Sequence, residues 1–147
     1  MKSIFSEEAH KEIISRFNQL SADSKPLWGK MSAGQMAHHC QYPLHIILEK
    51  NSYNLKPNWL FNLLFKKSMY SDKPWRKNLP TVPRFKALET KDWTQEQPKL
   101  IALLEELHTH RDREIWQDHP TFGKLTKEQW GKMQYKHLDH HLRQFGV

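Results

Sequence analysis

Apolar side chains recur at three- and four-residue spacing through most of the chain, the period of a helix with one buried face. Ala9, Ile13, Ile14, Phe17 and Leu20 form the first such series, behind Ser6, whose hydroxyl suits an N-cap. The stretch SADSKPLWGKM, with Pro26 and Gly29, reads as a connector. Ser32 caps a second series that includes Met36, Cys40, Ile46 and Ile47. Pro43 lies inside it and is expected to kink or divide that helix. Asn58 to Met69 reads as a short, very apolar helix, and residues 71–91, with Pro74, Pro80 and Pro83, as a long loop. Leu100, Leu103, Leu104 and Leu107 stripe a helix that begins near Thr94, where Pro98 is tolerable in the first turn. HPTFG at 119–123 is a turn. Thr126 and Gln129 make a capping-box pair for a last helix that runs to Phe145 and stops at Gly146.

No segment alternates with the period of two that a half-buried strand requires, and there is no internal repeat or low-complexity tract. The pattern predicts one all-α domain over residues 1–147, with an extra short helix and a long Pro-rich loop.

Composition narrows this only at the edges. The single cysteine, Cys40, excludes an internal disulfide and any multi-cysteine zinc site. MKSIFSEEAHKE lacks the apolar run of a signal peptide and nothing approaches a membrane span, so a cytoplasmic location without a membrane partner is expected. A net charge of +7 raises the question of nucleic acid. The cations, however, are scattered among acids, as with Lys11 beside Glu7 and Glu8. Only Lys66-Lys67, Arg76-Lys77 and Arg84-Lys86 cluster. That reads as a solvated surface more readily than as a nucleic-acid footprint.

The ten histidines carry the chemistry. Each helical residue turns the chain by about 100°, so residues four apart project from nearly the same side. His137 and His141 therefore share a face with Trp130, Leu138 and Phe145, while Lys132, Asp139 and Arg143 lie opposite. Two imidazoles on an apolar face can be satisfied core histidines, an acid–base pair, or two ligands of one metal ion. On the second helix His39 shares a face with Met36 and Ile47, whereas His38 turns towards the rim. His39 can then supply a third ligand, with His38 as the rival for that place. Three neutral imidazoles leave coordination positions open, as in catalytic rather than structural sites.

The stretches LWGKMSAGQMAHHC (27–40), NLPTVPRF (78–85), HPTFGKLTKEQW (119–130) and YKHLDHHLRQFG (135–146) resemble the uncharacterised bacterial branch of the DinB-like, or YfiT-like, metal-dependent hydrolase superfamily. The resemblance implies an antiparallel four-helix bundle, often a homodimer, with a three-histidine site for a divalent transition metal, commonly zinc or nickel. Carried over by position, the ligands are His39, His137 and His141. Characterised relatives imply a small-molecule substrate and a low-molecular-weight thiol, whose pKa the metal lowers.

Several other residues are open to two readings. His119 is a proton shuttle or a ligand's outer partner at the site mouth, or a turn histidine that caps the last helix. Gln144, one turn beyond His141, orients substrate or makes a packing contact. Arg76, Lys77 and Arg84 bind an anionic group or are solvated loop charge. Cys40 reads as a buried hydrophobe rather than a nucleophile. No glutamate stands in an HExxH position, which argues against peptide hydrolysis.

Overall fold

A computed structural model describes residues 1–79, 85, 86 and 88–147. Five helices account for its regular structure: α1 (Glu7–Phe17), α2 (Ala33–Ile47), α3 (Trp59–Tyr70), α4 (Trp93–Thr109) and α5 (Lys127–Gln144). Among the described residues there is no strand, only a lone bridge between His119 and Gly123.

Local chemistry sets the helix starts. Ser6, Ser32, Asn58, Asp92 and Thr126 each accept a backbone N–H in the first turn of the helix that follows. Ser32 with Gln35, and Thr126 with Gln129, close reciprocal capping boxes that satisfy two otherwise orphaned N–H groups apiece. α2 runs through Pro43 undivided. Proline removes the N–H that would bond the His39 carbonyl, but burial of Cys40, Leu44 and Ile47 on either side of it holds the segment in place. Each such side chain contributes roughly 1.5–3 kcal/mol when removed from water, enough in sum to outweigh the ~3 kcal/mol penalty of an interior proline.

The residue pairings between helices give their directions. Glu7 meets His108 and Asn18 meets Gln97, so α1 and α4 are antiparallel. His39 meets His137 and Pro43 meets Gln134, so α2 and α5 are antiparallel as well. By contrast, His38 pairs with Glu96 and Lys50 with Glu106, which makes α2 and α4 parallel. Tyr135 bonds Glu12 and Asp139 bonds Arg16, so α1 and α5 are also parallel. The expected antiparallel bundle thus holds for two of the four packed pairs among α1, α2, α4 and α5, and not for the other two. A parallel pair cannot be joined by a short turn, and residues 48–92 make the crossover, carrying α3 within it.

The core is one cluster drawn from α1, α2, α4 and α5, with Phe17, Met36, Leu44, Leu104, Trp130 and Leu142 fully enclosed. α3 differs: none of its residues is buried. Met69 and Tyr70 pack against the edge of the core, Phe61 stacks on Phe122, and polar tethers add to these contacts. Asn62 donates to the Phe122 carbonyl, Lys66 to the Lys124 carbonyl, and the buried ammonium of Lys136 on α5 donates to the carbonyls of Ser68 and Ser71. A cation at the C-terminal end of a helix also meets the negative end of its macrodipole.

Gly34 lets α2 and the start of α4 approach. A Cβ there would lie 2.0 Å from the Lys91 carbonyl oxygen, which is backbone and cannot swing aside. Alanine normally gains about 1 kcal/mol over glycine inside a helix. Here the clash dominates, and Gly34→Ala is expected to cost about 1–3 kcal/mol. Thermal denaturation checks this, with a fall of roughly 2–4 °C per kcal/mol for a chain of this size.

Candidate metal centre

The antiparallel contact of α2 with α5 brings His39 against His137 and His141. The last two stand four positions apart, so both project from the α5 face that also buries Trp130 and Leu138. The ring centroids stand 5.0 Å apart for His39 and His137, 4.8 Å for His39 and His141, and 4.8 Å for His137 and His141. One potential ligand atom from each of the three lies within 4.8 Å of the others. His39 Nε2 and His137 Nε2 are 3.1 Å apart. Two imidazole nitrogens bound to one tetrahedral zinc at about 2.0–2.1 Å would be about 3.3 Å apart, so this separation fits a shared ion.

Hydrogen bonds fix the tautomers of two rings. His39 Nδ1 is 3.0 Å from the Phe85 carbonyl, which only accepts, so this nitrogen carries the proton and Nε2 presents a lone pair. Gln144 uses its Nε2 to donate to the Trp28 carbonyl at 2.8 Å, which turns its Oε1 towards His141 Nδ1 at 2.9 Å. His141 therefore donates from Nδ1 as well, and its Nε2 is free to ligate. Gly29, at φ 80°, brings the Trp28 segment close: a Cβ on it would stand 2.5 Å from Gln144 Nε2. Such outer partners orient a ligating histidine and select its free nitrogen. His137 has no such partner, since its shielded Nδ1 makes no hydrogen bond among the described residues. Without an ion, its single ring proton can serve only one of its nitrogens.

Electrostatics favours the neutral, ligating form. Burial holds His137 well below the usual histidine range, with His141 and His39 adding repulsion. Burial pushes His141 down to about 3, with His39 again contributing. His39 is lowered by burial, partly offset by the Phe85 carbonyl. A neutral imidazole is the form that binds a metal.

Around this cluster stand aromatic and basic groups. His140 packs edge-on to Trp28, Trp75 and His141. Trp75 also meets His137 at 6.1 Å, and Lys77 lies over the Trp28 ring at 4.7 Å. A surface cleft of about 290 Å³ runs alongside, lined by Trp75, Lys136, His140 and Arg143 among others. None of the three clustered histidines lines it.

The remaining sequence candidates fall as follows. His38 is turned to α4, where its Nδ1 meets Glu96 at 2.9 Å and its Nε2 meets the Tyr42 hydroxyl at 3.0 Å, leaving His39 as the member of the cluster. His119 accepts the backbone N–H groups of Thr121 and Phe122 at Nδ1 and rests against Trp130, which makes it the pin of its own turn. Burial pushes it down to about 4. Gln144 touches His141 directly. Arg76 is exposed, Lys77 covers Trp28, and Arg84 lies outside the described residues. Cys40 is buried against Met36, and burial pushes its thiol well up, so it is no nucleophile. Sequence reasoning missed the carbonyls of Phe85 and Trp28, because a backbone oxygen leaves no mark on side-chain pattern.

The lowered histidines make folding stability depend on pH. Each binds a proton more readily unfolded, so its contribution is full above about 6.5 and is lost as pH falls towards the folded-state value. Chelator-treated protein should therefore lose thermal stability between pH 7 and pH 4. His141→Leu should flatten that slope, and thermal denaturation across the range measures both.

A family model described as a protein of unknown function, DUF1569, matches residues 5–146. No curated protein and no solved structure matches the chain. The match spans all five helices and the three clustered histidines: the chain belongs to the DUF1569 family.

Proposed function

We propose that the chain is a small metal-dependent enzyme, of hydrolase or thiol-transferase type, acting on a small molecule. His39, His137 and His141 would hold a divalent transition metal, zinc or nickel first among the candidates. The observation that carries this reading is the 3.1 Å separation of two imidazole nitrogens, one of which is forced to be a bare lone pair by the Phe85 carbonyl. A bound ion of this kind lowers the pKa of a water or thiol and so supplies a nucleophile near neutral pH.

The chain's own groups do the rest. Phe85 and Gln144 keep the protons of His39 and His141 on Nδ1, away from the site. Burial keeps all three rings uncharged. His140, half-buried between Trp28 and Trp75, stands where a group approaching from the neighbouring cleft would pass. Lys77 and Arg76 supply positive charge on the loop side, suited to an anionic substrate or a carboxylate-bearing thiol. Among the described residues no carboxylate bears on the charge of the three rings, a setting that suits a metal-bound thiol, which needs no glutamate base.

A second reading, a metal-binding bundle without turnover, is favoured by one observation: the cleft is not lined by the three histidines. Turnover separates the two. Untagged protein should carry close to one transition metal per chain by elemental analysis, and His137→Ala with His141→Ala should abolish it. Gln144→Leu should weaken metal affinity by about 10–100-fold while the fold persists. Metal-dependent consumption of a thiol in a panel with electrophilic co-substrates supports the enzyme; metal binding with no turnover across the panel supports the binder. Protein that stays metal-free after reconstitution overturns both.

A further inference from the structure

α3 is an amphipathic element with no protein on one side. At about 100° per residue, Trp59, Leu60, Leu63, Leu64 and Lys67 occupy one arc, while Phe61, Asn62, Phe65 and Met69 occupy the other. The second arc faces the domain: Phe61 stacks on Phe122 and Asn62 bonds its carbonyl. The first arc faces away, with Trp59 77%, Leu63 74%, Leu64 61% and Leu60 50% exposed. Four large apolar side chains side by side in water are the mark of a surface that another phase or molecule covers.

Charge identifies the kind of partner. Residues 50–88 hold nine lysines and arginines against one acid, Asp72, and the rest of the chain holds fourteen against fifteen. The chain's net positive charge is therefore concentrated in the middle of the crossover that carries α3, between Glu49 at one end and Glu89 and Asp92 at the other. A two-fold self-association through α3 would bring two such segments together and is opposed by their repulsion. An acidic surface is favoured. Three of the four outward side chains are leucines, which offer nothing to stack on a base, so nucleic acid makes poor use of this face. Leucines flanked by a tryptophan and lysines are instead the composition of a helix lying in a lipid headgroup region, with lysine stems reaching out to the phosphates. Twelve residues are too few to span a bilayer, and no described helix is long and apolar enough to cross one.

We infer that α3 docks the domain peripherally on an anionic lipid bilayer, Trp59, Leu60, Leu63 and Leu64 entering the interface and Lys56, Lys67 and the loop cations meeting the headgroups. This changes the sequence expectation of no membrane partner. It stands apart from the metal site, because no residue of α3 contributes to the histidine cluster.

The test is co-sedimentation of the full chain with phosphatidylcholine vesicles, with and without phosphatidylglycerol, at low and moderate salt. Binding should require the anionic lipid and weaken with salt. Leu60→Ser with Leu63→Ser and Leu64→Ser should abolish it. Lys56→Ser with Lys67→Ser should lower partitioning by about thirtyfold. Circular dichroism and thermal denaturation verify that each variant keeps its fold. The inference is overturned by wild-type protein that binds no vesicle at low salt, by variants that bind like wild type, or by light scattering that shows a dimer which the leucine substitutions dissociate.

Discussion

The approach of two imidazole nitrogens, one on α2 and one on α5, is the constraint around which this domain is arranged. Hydrogen bonding alone can satisfy that contact only in part. The Phe85 carbonyl takes the one proton of His39, so any proton between the two rings must come from His137, whose other nitrogen then has no partner among the described residues. Burial blocks the alternative of protonating the rings, since it lowers all three histidines. A divalent cation held here would take the inward lone pairs of the rings and leave the one proton of His137 on its outer nitrogen.

The fold serves that contact. Antiparallel packing of α2 on α5 sets His39 against His137, and parallel packing of α2 on α4 draws His38 away to Glu96. The same parallel pairing demands a long crossover, whose far end returns to deliver the Phe85 carbonyl to His39. The crossover is also where the positive charge and the uncovered helix reside. One topological requirement thus produces both the orienting group of the site and the proposed lipid-facing element.

Much of this was legible in the residues. Caps at Ser6, Ser32 and Thr126, the leucine stripe of α4 and the shared face of His137 and His141 follow from spacing and side-chain chemistry, and each stands in the structure as expected. The wheel of α2 also set buried His39 apart from His38, which stands part-exposed at the rim as expected, where it meets Glu96 of α4. Helix directions were not legible, because an amphipathic stripe specifies which face is buried and not which neighbour buries it. The Leu-Phe run at 60–65 reads from sequence as core or as a dimer face; the structure leaves no residue of α3 buried, because apolar composition alone does not say what covers it. The role of Gln144 was left between two readings because its partner, the Trp28 carbonyl, lies 116 positions away in sequence.

The central claim is that three imidazoles from two helices share one ion, and X-ray absorption at the metal edge of reconstituted, untagged protein tests it most directly. The account predicts one zinc or nickel per chain, with scattering from three imidazole nitrogens that falls to two in His39→Ala. A metal coordinated by one imidazole or none, or a spectrum unchanged by that substitution, would contradict it.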